Sequence, residues 1–267
     1  IPVIGMIPRP KDSGDLEEAL ADPWSAVSEA YRSLRTTLQF ATASGAPKSL
    51  LVTSPRPGDG KSTSALAIAR NFAQLGQKVL LIDADLRYGS LHKKMRMEND
   101  VGLSSYLSGQ VNPQDAVRPS TYENLSVMVS GPLPPNPAEL IAGPRMVALL
   151  GLALNQFDMV VIDSPPVMGL ADAPLLASLT EATLLIVAAA QTRRDVARVA
   201  VKNLNYGRAH LLGVTLTKFD IRHATYGYGY GYGYGYGGDS YHAYGAHPAL
   251  LEEAEAAEGK AGRKTEG

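Results

Sequence analysis

The chain has 267 residues, a formal net charge of −1 and no cysteine. Its length is sufficient for a full hydrophobic core, and we expect one α/β domain of roughly 200 residues with appendages. The near balance of 25 Lys and Arg against 26 Asp and Glu disfavours the basic face that nucleic-acid binding requires, so no nucleic-acid partner is expected. The lack of cysteine excludes disulfides and thiolate metal sites and favours a reducing compartment, the cytoplasm.

The sequence carries no membrane or targeting signal. Its longest apolar stretch, residues 182–190, is far shorter than the ~20 residues that a membrane-spanning helix needs, and no signal-peptide pattern is present. We therefore expect a soluble protein. Because Ile1 rather than methionine comes first, we also expect a further segment upstream of it in the natural protein.

A connector and a helix come first in chain order. Residues 1–24 carry several prolines and a polar stretch, so we expect an N-terminal connector. Within it, residues 1–10 are expected to form a connector or an edge segment, and residues 11–23 a loop. Apolar residues then recur at spacings of three and four, which predicts a helix of about 18 residues over 25–42. Its other face carries Glu29, Arg32 and Arg35, a pattern that by itself favours a solvated surface.

After this helix, short β-rich runs alternate with helical stretches, which is typical of a mostly parallel sheet flanked by helices. Strands are predicted at residues 50–53, 79–82, 159–162, 184–188 and 212–216. Residues 61–75 are predicted to form a helix that ends before Gly76. Residues 102–148 are richer in proline and glycine, and we expect one or two short helices with loops there.

Residues 54–63, Ser-Pro-Arg-Pro-Gly-Asp-Gly-Lys-Ser-Thr, indicate a phosphate-binding loop. Its glycines let backbone N–H groups approach phosphate oxygens, and the loop leads into a helix whose positive end faces the anion. Lys61 would contact the β- and γ-phosphates of ATP, and the Ser62 hydroxyl would hold Mg²⁺. Pro55 replaces the first glycine of the full pattern, so the match covers its second half. The predicted ATP-binding residues are Gly58, Asp59, Gly60, Lys61, Ser62 and Thr63.

Aspartates directly follow two predicted strands, with Asp83 after residues 79–82 and Asp163 after residues 159–162. Because the carboxyl ends of parallel strands meet at one edge of a sheet, we expect both carboxylates and Ser54 to converge beside the phosphates. Asp163 would act on Mg²⁺ directly or through water, and Asp83 is the best candidate to accept a hydroxyl proton. Either aspartate could instead cap the turn after it. Together with the loop, these strand ends predict a P-loop NTPase-like α/β fold.

Residues 223–267 are predicted to form a flexible tail in which tyrosines alternate with glycines. The candidate phosphate acceptors are Tyr226, Tyr228, Tyr230, Tyr232, Tyr234, Tyr236, Tyr241 and Tyr244. A glycine-rich segment of about 24 residues typically spans roughly 27 Å and at most roughly 80 Å, enough to reach a neighbouring subunit. Such a tail is also typical of a low-complexity linker. The other tyrosines are expected to pack inside the domain predicted at residues 25–222; they are Tyr31, Tyr88, Tyr106, Tyr122 and Tyr206.

These segments together resemble the cytoplasmic catalytic domain of the bacterial tyrosine kinases that regulate capsular and extracellular polysaccharide assembly. The likeness covers nearly the whole chain and includes residues 29–35, 54–63, 83–85, 102–109, 134–140, 163–166 and 172–173 as well as the tyrosine tail. The resemblance implies that Lys61 binds phosphate and that Asp83 and Asp85 form a second catalytic aspartate pair, one of them near the attacking tyrosine. It also implies a magnesium site whose residues are Ser62, Asp83 and Asp163.

The resemblance further implies an assembly. Glu29, Arg32 and Arg35 match an ExxRxxR motif that in this family joins subunits into a ring, for example an octamer, in which each tail enters a neighbour's active site. A membrane-embedded chain-length regulator, joined upstream of Ile1 or supplied separately, would activate the kinase at the inner face of the cell membrane. A tyrosine phosphatase is implied as a further partner.

Two positions bear on the choice of function. Thr217 stands where related nucleotide-binding proteins commonly place an asparagine near the base, and Arg56 stands where partitioning and cell-division ATPases carry a second lysine. The sequence predicts an ATP:protein-tyrosine phosphotransferase that uses ATP and Mg²⁺ and phosphorylates itself in trans. The main alternative is a nucleotide-switched ATPase of the partitioning or cell-division type. A third possibility is a scaffold that binds nucleotide without turning it over.

Overall fold

The computed structural model describes residues 1–10 and 16–220, so the tail tyrosines lie outside the described residues. The strands are β1 (Val3–Pro8), β2 (Ser49–Thr53), β3 (Val79–Asp83), β4 (Arg118–Pro119), β5 (Leu125–Met128), β6 (Met159–Asp163), β7 (Ala182–Ala188) and β8 (Leu211–Phe219). The helices are α1 (Leu16–Ala21), α2 (Ala26–Gln39), α3 (Lys61–Ala73), α4 (Leu91–Lys94), α5 (Leu103–Leu107), α6 (Pro113–Ala116), α7 (Pro137–Ala142), α8 (Pro144–Gln156), α9 (Asp172–Ala177) and α10 (Arg194–Tyr206). Among these helices, none combines the length and the apolar character needed to cross a membrane.

The strands form one eight-stranded sheet in the order β1-β8-β7-β2-β6-β3-β5-β4. All neighbouring pairs are parallel except β4 and β5. Every residue of β2, β3, β6 and β7 is buried, because helices cover both faces of the sheet and leave these strands no solvent-facing side. The predicted P-loop NTPase-like α/β fold with a mostly parallel sheet is therefore confirmed, and β2, β3, β6, β7 and β8 correspond to the five predicted strands.

Two hydrophobic cores hold the sheet between the helix layers. Alternation along β2 sends Leu50 and Val52 into the core beneath α2 and α3, whereas Leu51 enters the core beneath α7 to α10. Each fully buried leucine contributes about 1.5–3 kcal/mol relative to an exposed one. The central strands are thus fixed from both sides, which in turn fixes the positions of their carboxyl ends.

α2 is the helix predicted from the spacing of apolar residues, and the four that carry that spacing are buried: Val27, Tyr31, Leu34 and Leu38. The helix begins after Ser25, whose Oγ accepts a hydrogen bond from the Ser28 backbone N–H at 3.0 Å. It ends at Gln39, earlier than predicted, because Thr42 and Gly45 exchange backbone hydrogen bonds in a turn.

The structure tests the predictions for three further segments, namely the start of the chain, the loop after it and residues 102–148. The edge segment predicted at the start of the chain is β1, which pairs with β8. The loop expected before residue 24 is wrong for Leu16–Ala21, which forms α1, since its leucine, glutamate and alanine residues are good helix formers. Within residues 102–148, the expectation of short helices and loops missed β5 and the long α8. α8 begins with Pro144 at its first position, where a missing N–H costs no hydrogen bond.

The tyrosines of the domain do not share one environment. Tyr31 and Tyr106 are buried, as predicted. Tyr88 is 86% exposed and Tyr206 74% exposed, so the prediction that they pack in the interior is wrong. Tyr88 lies in the loop after β3 and Tyr206 is the last residue of α10, and neither position faces a core. Tyr122 is partly exposed and packs against the guanidinium of Arg70, 4.1 Å from its ring centre.

Candidate active site

The predicted site residues lie together at the carboxyl edge of the sheet. This edge is formed by the carboxyl ends of the parallel strands and the loops that follow them, and the site residues lie at the ends of β2, β3 and β6. Asp83 at the end of β3 and Asp163 at the end of β6 are register partners. Asp163 is also the partner of Val52 on β2, two residues before Ser54. The parallel register therefore brings Ser54, Asp83 and Asp163 to one edge, as the sequence predicted.

The phosphate loop joins β2 to α3 and depends on glycine at two positions. Gly58 (φ +83°) and Gly60 (φ +100°) adopt left-handed backbone conformations that other residues rarely take. Gly60 precedes the first residue of α3, and no side chain of the described residues caps this helix. Its first N–H groups therefore remain suited to an anion, which the positive end of the helix dipole also favours.

Lys61, the first residue of α3, is held over the carboxyl edge by Asp85. Its Nζ lies 3.0 Å from Asp85 Oδ2 and 3.3 Å from the Ser62 hydroxyl. Burial lowers the pKa of Lys61, but the negative charges of Asp163 and Asp85 outweigh this effect and raise it above its ordinary value. Lys61 is therefore a firmly protonated cation at neutral pH, suited to contact phosphate.

Asp163 is fully buried, and neither of its carboxylate oxygens has a hydrogen-bond partner among the described residues. Burial raises the pKa of Asp163 to about 6, while the nearby Lys61 ammonium and Ser62 hydroxyl lower it. The Ser62 hydroxyl thus faces this carboxylate without making a hydrogen bond of normal geometry. A buried carboxylate without a partner is costly, and it marks a position where an external cation would be welcome.

Asp83 differs in that backbone N–H groups surround its carboxylate. Oδ1 accepts from Asp85 N at 3.2 Å, and Oδ2 accepts from Ser90 N and Leu91 N at 3.0 Å each. Burial and the charge of Asp163 nevertheless raise the pKa of Asp83 to about 7, against the lowering effect of the Leu91 hydrogen bond. Asp83 is therefore oriented by the protein and able to exchange a proton near neutral pH.

The donor set fits Mg²⁺ in its chemistry. This cation prefers oxygen ligands and usually keeps several waters while binding one or two carboxylates and substrate phosphates. Asp163 offers both oxygens and Ser62 a hydroxyl, whereas Asp83 already uses much of its accepting capacity on backbone N–H groups. The described residues hold no group of three or more His, Cys, Asp or Glu side chains arranged for a metal. An ion here would complete its shell with phosphate and water.

A salt bridge that the sequence did not predict joins the loops after β3 and β6. Arg87 Nε lies 2.8 Å from Asp172 Oδ2, and a second guanidinium nitrogen lies 3.4 Å from Oδ1. Asp172 is fully buried at the start of α9. Asp172 lies in a family-like segment of the sequence and Arg87 does not, and only the fold reveals that they meet. Lys94 on α4 is a second residue that the sequence did not single out, and its charge lowers the pKa of Asp163.

The predicted oligomerisation residues lie on α2 but face different surroundings. Glu29 and Arg32 form an ion pair at 2.6 Å and are 62% and 36% exposed. Arg35 leans against α3, where one guanidinium nitrogen donates to the Asn71 carbonyl at 3.4 Å. Its Nε is buried and has no hydrogen-bond partner among the described residues. Glu29 and Arg32 are thus accessible to another molecule, whereas Arg35 is already engaged with its own domain.

Known proteins resemble most of this chain in sequence. Residues 48–196, from the beginning of β2 into α10, match the AAA domain family. The tyrosine-protein kinase YwqD of Bacillus subtilis is 41% identical over 210 residues, which are 78% of this chain and 89% of YwqD. The putative tyrosine-protein kinase EpsB of Ralstonia solanacearum is 36% identical over 199 residues, 74% of this chain but 26% of EpsB.

A solved structure agrees with these sequence relatives. The kinase domain of the Escherichia coli tyrosine kinase ETK matches with a TM-score of 0.79 at 31% identity, covering 87% of this chain and 95% of that domain. The phosphate loop and both aspartates at the strand ends lie within residues 48–196, which match the AAA domain family. The chain therefore belongs to the bacterial tyrosine kinases and is a catalytic domain of that family, built on a P-loop nucleotide-binding fold.

Proposed function

We propose that this tyrosine kinase uses ATP with Mg²⁺ and phosphorylates the tyrosines of its own C-terminal tail. The observation that carries the proposal is the fully buried carboxylate of Asp163, which has no hydrogen-bond partner among the described residues and lies beside the largely buried ammonium of Lys61. Without a bound cation, no hydrogen bond from the described residues offsets the burial of this carboxylate. A magnesium-bound triphosphate would supply both the cation for Asp163 and the anion for Lys61.

Different residues at the carboxyl edge would bind the phosphates of ATP and the Mg²⁺ ion. Lys61 would exchange its contact with Asp85 for oxygens of the β- and γ-phosphates, and the uncapped N-terminus of α3 would supply N–H groups. Ser62 and Asp163 would hold Mg²⁺, which when bound neutralises negative charge on the phosphates. Catalysis in phosphoryl transfer comes mainly from such positioning and charge stabilisation.

Asp83 would accept the proton of the acceptor tyrosine. The phenol oxygen of a tyrosine forms a bond to the γ-phosphorus, the bond from that phosphorus to the β–γ bridging oxygen breaks, and ADP leaves. The phenol proton passes to Asp83, whose pKa, raised to about 7 by burial and by the charge of Asp163, suits a general base at neutral pH. Before ATP binds, Asp85 would hold Lys61 at this edge through the ion pair seen here.

The course of β8 supports the tyrosine cluster as the acceptor. β8 is parallel to β7 and so ends at the carboxyl edge, one residue before Asp220. Lys218 Nζ lies 2.8 Å from the Gly58 carbonyl oxygen of the phosphate loop. The described part of the chain therefore ends at this edge, which supports the tail as the acceptor, and the predicted reach of the tail extends to a neighbouring subunit. Transfer in trans is proposed on this basis, with Glu29, Arg32 and Arg35 joining subunits into a ring.

The wider setting follows from the family. Because EpsB extends far beyond the region matched by this chain, we propose that a membrane-embedded activator, joined upstream or supplied separately, places the kinase at the inner face of the cell membrane. The phosphorylation state of the kinase would regulate exopolysaccharide or capsule synthesis and export. A tyrosine phosphatase would remove the phosphates.

Intact-mass measurement after incubation with Mg²⁺ and ATP tests the proposed function. The chain itself should gain a ladder of steps of roughly 80 Da, one for each phosphate. Lys61→Met and a variant truncated after Arg222 should show no ladder, since the first loses the phosphate contact and the second the acceptors. Consumption of ATP without a ladder would favour the nucleotide-switched ATPase instead. Nucleotide binding without turnover would favour a scaffold.

A further inference from the structure

Asp59 occupies an unexpected position for a carboxylate. It lies within the phosphate loop and is 3% exposed, although the ligand of such a loop is itself negative. β2, which leads into the loop, has β6 on one side and β7 followed by β8 on the other. Asp163 belongs to the β6 side. The side chains that hold Asp59 come from the opposite side, from the ends of β7 and β8.

The carboxylate of Asp59 is satisfied by two donors. Thr192, in the loop between β7 and α10, donates its hydroxyl to Asp59 Oδ1 at 2.6 Å. The backbone N–H of Arg56 donates to Oδ2 at 3.0 Å. These bonds fix the side chain, so that a carboxylate that would otherwise be free to approach the phosphates is held in one position.

The loop carbonyls are held from β8. The Thr217 hydroxyl donates to the Asp59 carbonyl oxygen at 2.6 Å, and both groups are buried. Lys218 Nζ donates to the Gly58 carbonyl oxygen at 2.8 Å and to Gln191 Oε1 at 3.0 Å. Two consecutive peptide groups of the phosphate loop therefore have their carbonyls bound to the same strand end.

Holding these carbonyls also sets the direction of the loop amides. In a planar trans peptide the C=O and the following N–H point in opposite directions. Fixing the carbonyls of Gly58 and Asp59 toward β8 therefore turns the N–H groups of Asp59 and Gly60 away from β8. Preorganised amides of this kind bind an anion without a further cost of ordering.

The backbone at the end of β8 supports this arrangement. Lys218 has a φ of +54°, a left-handed conformation that is uncommon for lysine and persists only where surrounding contacts hold it. The Thr217 carbonyl accepts from Ala189 N at 2.8 Å, and the Phe219 carbonyl accepts from Arg9 N at 3.0 Å. Neighbouring segments thus fix the strand end from which the side chains of Thr217 and Lys218 reach the loop.

We infer that Thr192, Thr217 and Lys218, together the loop clasp, are positioning residues that hold the phosphate loop in its nucleotide-binding conformation. The inference rests on the proposed use of ATP. It assigns the hydroxyl at position 217, where related proteins commonly place an asparagine near the base, to the loop rather than to the nucleobase. Asp59 is the residue that receives the loop clasp, through its carboxylate and its carbonyl.

The test compares isosteric variants for Mg²⁺-ADP affinity, measured by calorimetry, and for the KM for ATP in tail phosphorylation. Thr217→Val removes only the donor, and we expect affinity to fall on the order of tenfold, with a matching rise in KM. Thr217→Ser should recover affinity to within about twofold, because it keeps the hydroxyl. Thr215→Val is the matched control two residues earlier on β8, since the Thr215 hydroxyl is buried without a hydrogen-bond partner among the described residues.

The outcomes separate the loop clasp from the proposed function. If wild type binds Mg²⁺-ADP and Thr217→Val binds it equally well, or loses only thermal stability, the loop clasp is overturned while the kinase proposal stands. If wild type does not bind Mg²⁺-ADP, both fail. Should Thr217→Val not fold, Thr192→Val provides the same test at a half-exposed position, and unchanged affinity there would likewise overturn the inference.

Discussion

The ends of β3 and β6 carry the same residue in the same register, yet their surroundings differ. Asp83 receives three backbone N–H groups from the loop after β3, whereas Asp163 receives none from the described residues. The first carboxylate is held by the protein's own hydrogen bonds, and the second has no such partner among the described residues. This difference supports the proposal that Asp83 accepts a proton and Asp163 binds a cation.

Asp163→Asn should produce the largest effect. Replacing the unpartnered carboxylate with a neutral amide removes the candidate magnesium ligand, and tail phosphorylation should fall by a factor on the order of 10² or more. The same change should stabilise the ligand-free protein by about 1–3 kcal/mol at pH 8, because a buried charge is removed. Intact mass after incubation with Mg²⁺ and ATP measures the first effect, and urea unfolding without nucleotide measures the second. A ligand-free protein made less stable by the substitution would contradict the account of Asp163.

Arg87→Ala tests the salt bridge that joins the two loops. Removing the guanidinium leaves Asp172 buried and charged without its partner, so we expect a loss of about 2–4 kcal/mol, reduced from that of a fully buried pair because Arg87 is partly exposed. The Arg87→Ala, Asp172→Ala double variant should lose less than the sum of the two single variants. Additive losses in chemical denaturation would show that the two loops are not coupled through this pair.

Asp83→Asn tests whether the hydrogen bonds to Asp83 distinguish it from Asp163. An amide has one accepting oxygen, so its NH₂ group would face at least one of the N–H donors that now meet Asp83. The ligand-free Tm of Asp83→Asn at pH 8 should therefore lie below that of Asp163→Asn, by a few degrees for each ~1 kcal/mol. Scanning calorimetry gives both values. The reverse order would mean that hydrogen bonding does not distinguish the two carboxylates.

The two aspartates also predict a pH dependence of modest size. Burial raises the folded-state pKa of Asp83 to about 7 and that of Asp163 to about 6, while an unfolded aspartate titrates near 3.9. The folded protein binds more protons between these values, so this contribution to stability is full below about pH 4 and is lost as pH rises through 6 to 7. Unfolding free energies of wild type should thus fall relative to Asp163→Asn from pH 5 to pH 8. A constant difference would contradict the raised pKa values.

The sequence was sufficient for features that depend on local spacing. Continuous apolar runs ending in Asp83 and Asp163 predicted the central strands, and parallel strands place such ends at one edge. Features that depend on which strands are neighbours could not be obtained in this way. Two side-chain donors to Asp59 lie 133 and 158 residues away, at Thr192 and Thr217. They meet it only because β7 lies beside β2 and β8 lies beside β7.

The exposure of individual tyrosine side chains could not be predicted from the sequence either. Tyr88 and Tyr31 are the same residue type near apolar neighbours, but one lies in a loop at the carboxyl edge and the other packs beneath α3 with its hydroxyl 2.9 Å from Ser64. Periodicity distinguishes helix from strand and does not say how a loop presents its side chains. Arg87 and Asp172 are a similar case, since each is unremarkable until the loops after β3 and β6 are seen side by side.

Transfer from this carboxyl edge to the tail of another copy is tested most directly by one mixing experiment. Lys61→Met, which keeps its tyrosines, is incubated with Mg²⁺, ATP and the variant truncated after Arg222, which keeps the active site, and the mass of each chain is measured. We predict a ladder of roughly 80 Da steps on the Lys61→Met chain alone. An unmodified Lys61→Met chain, while wild type alone acquires phosphates, would contradict transfer in trans.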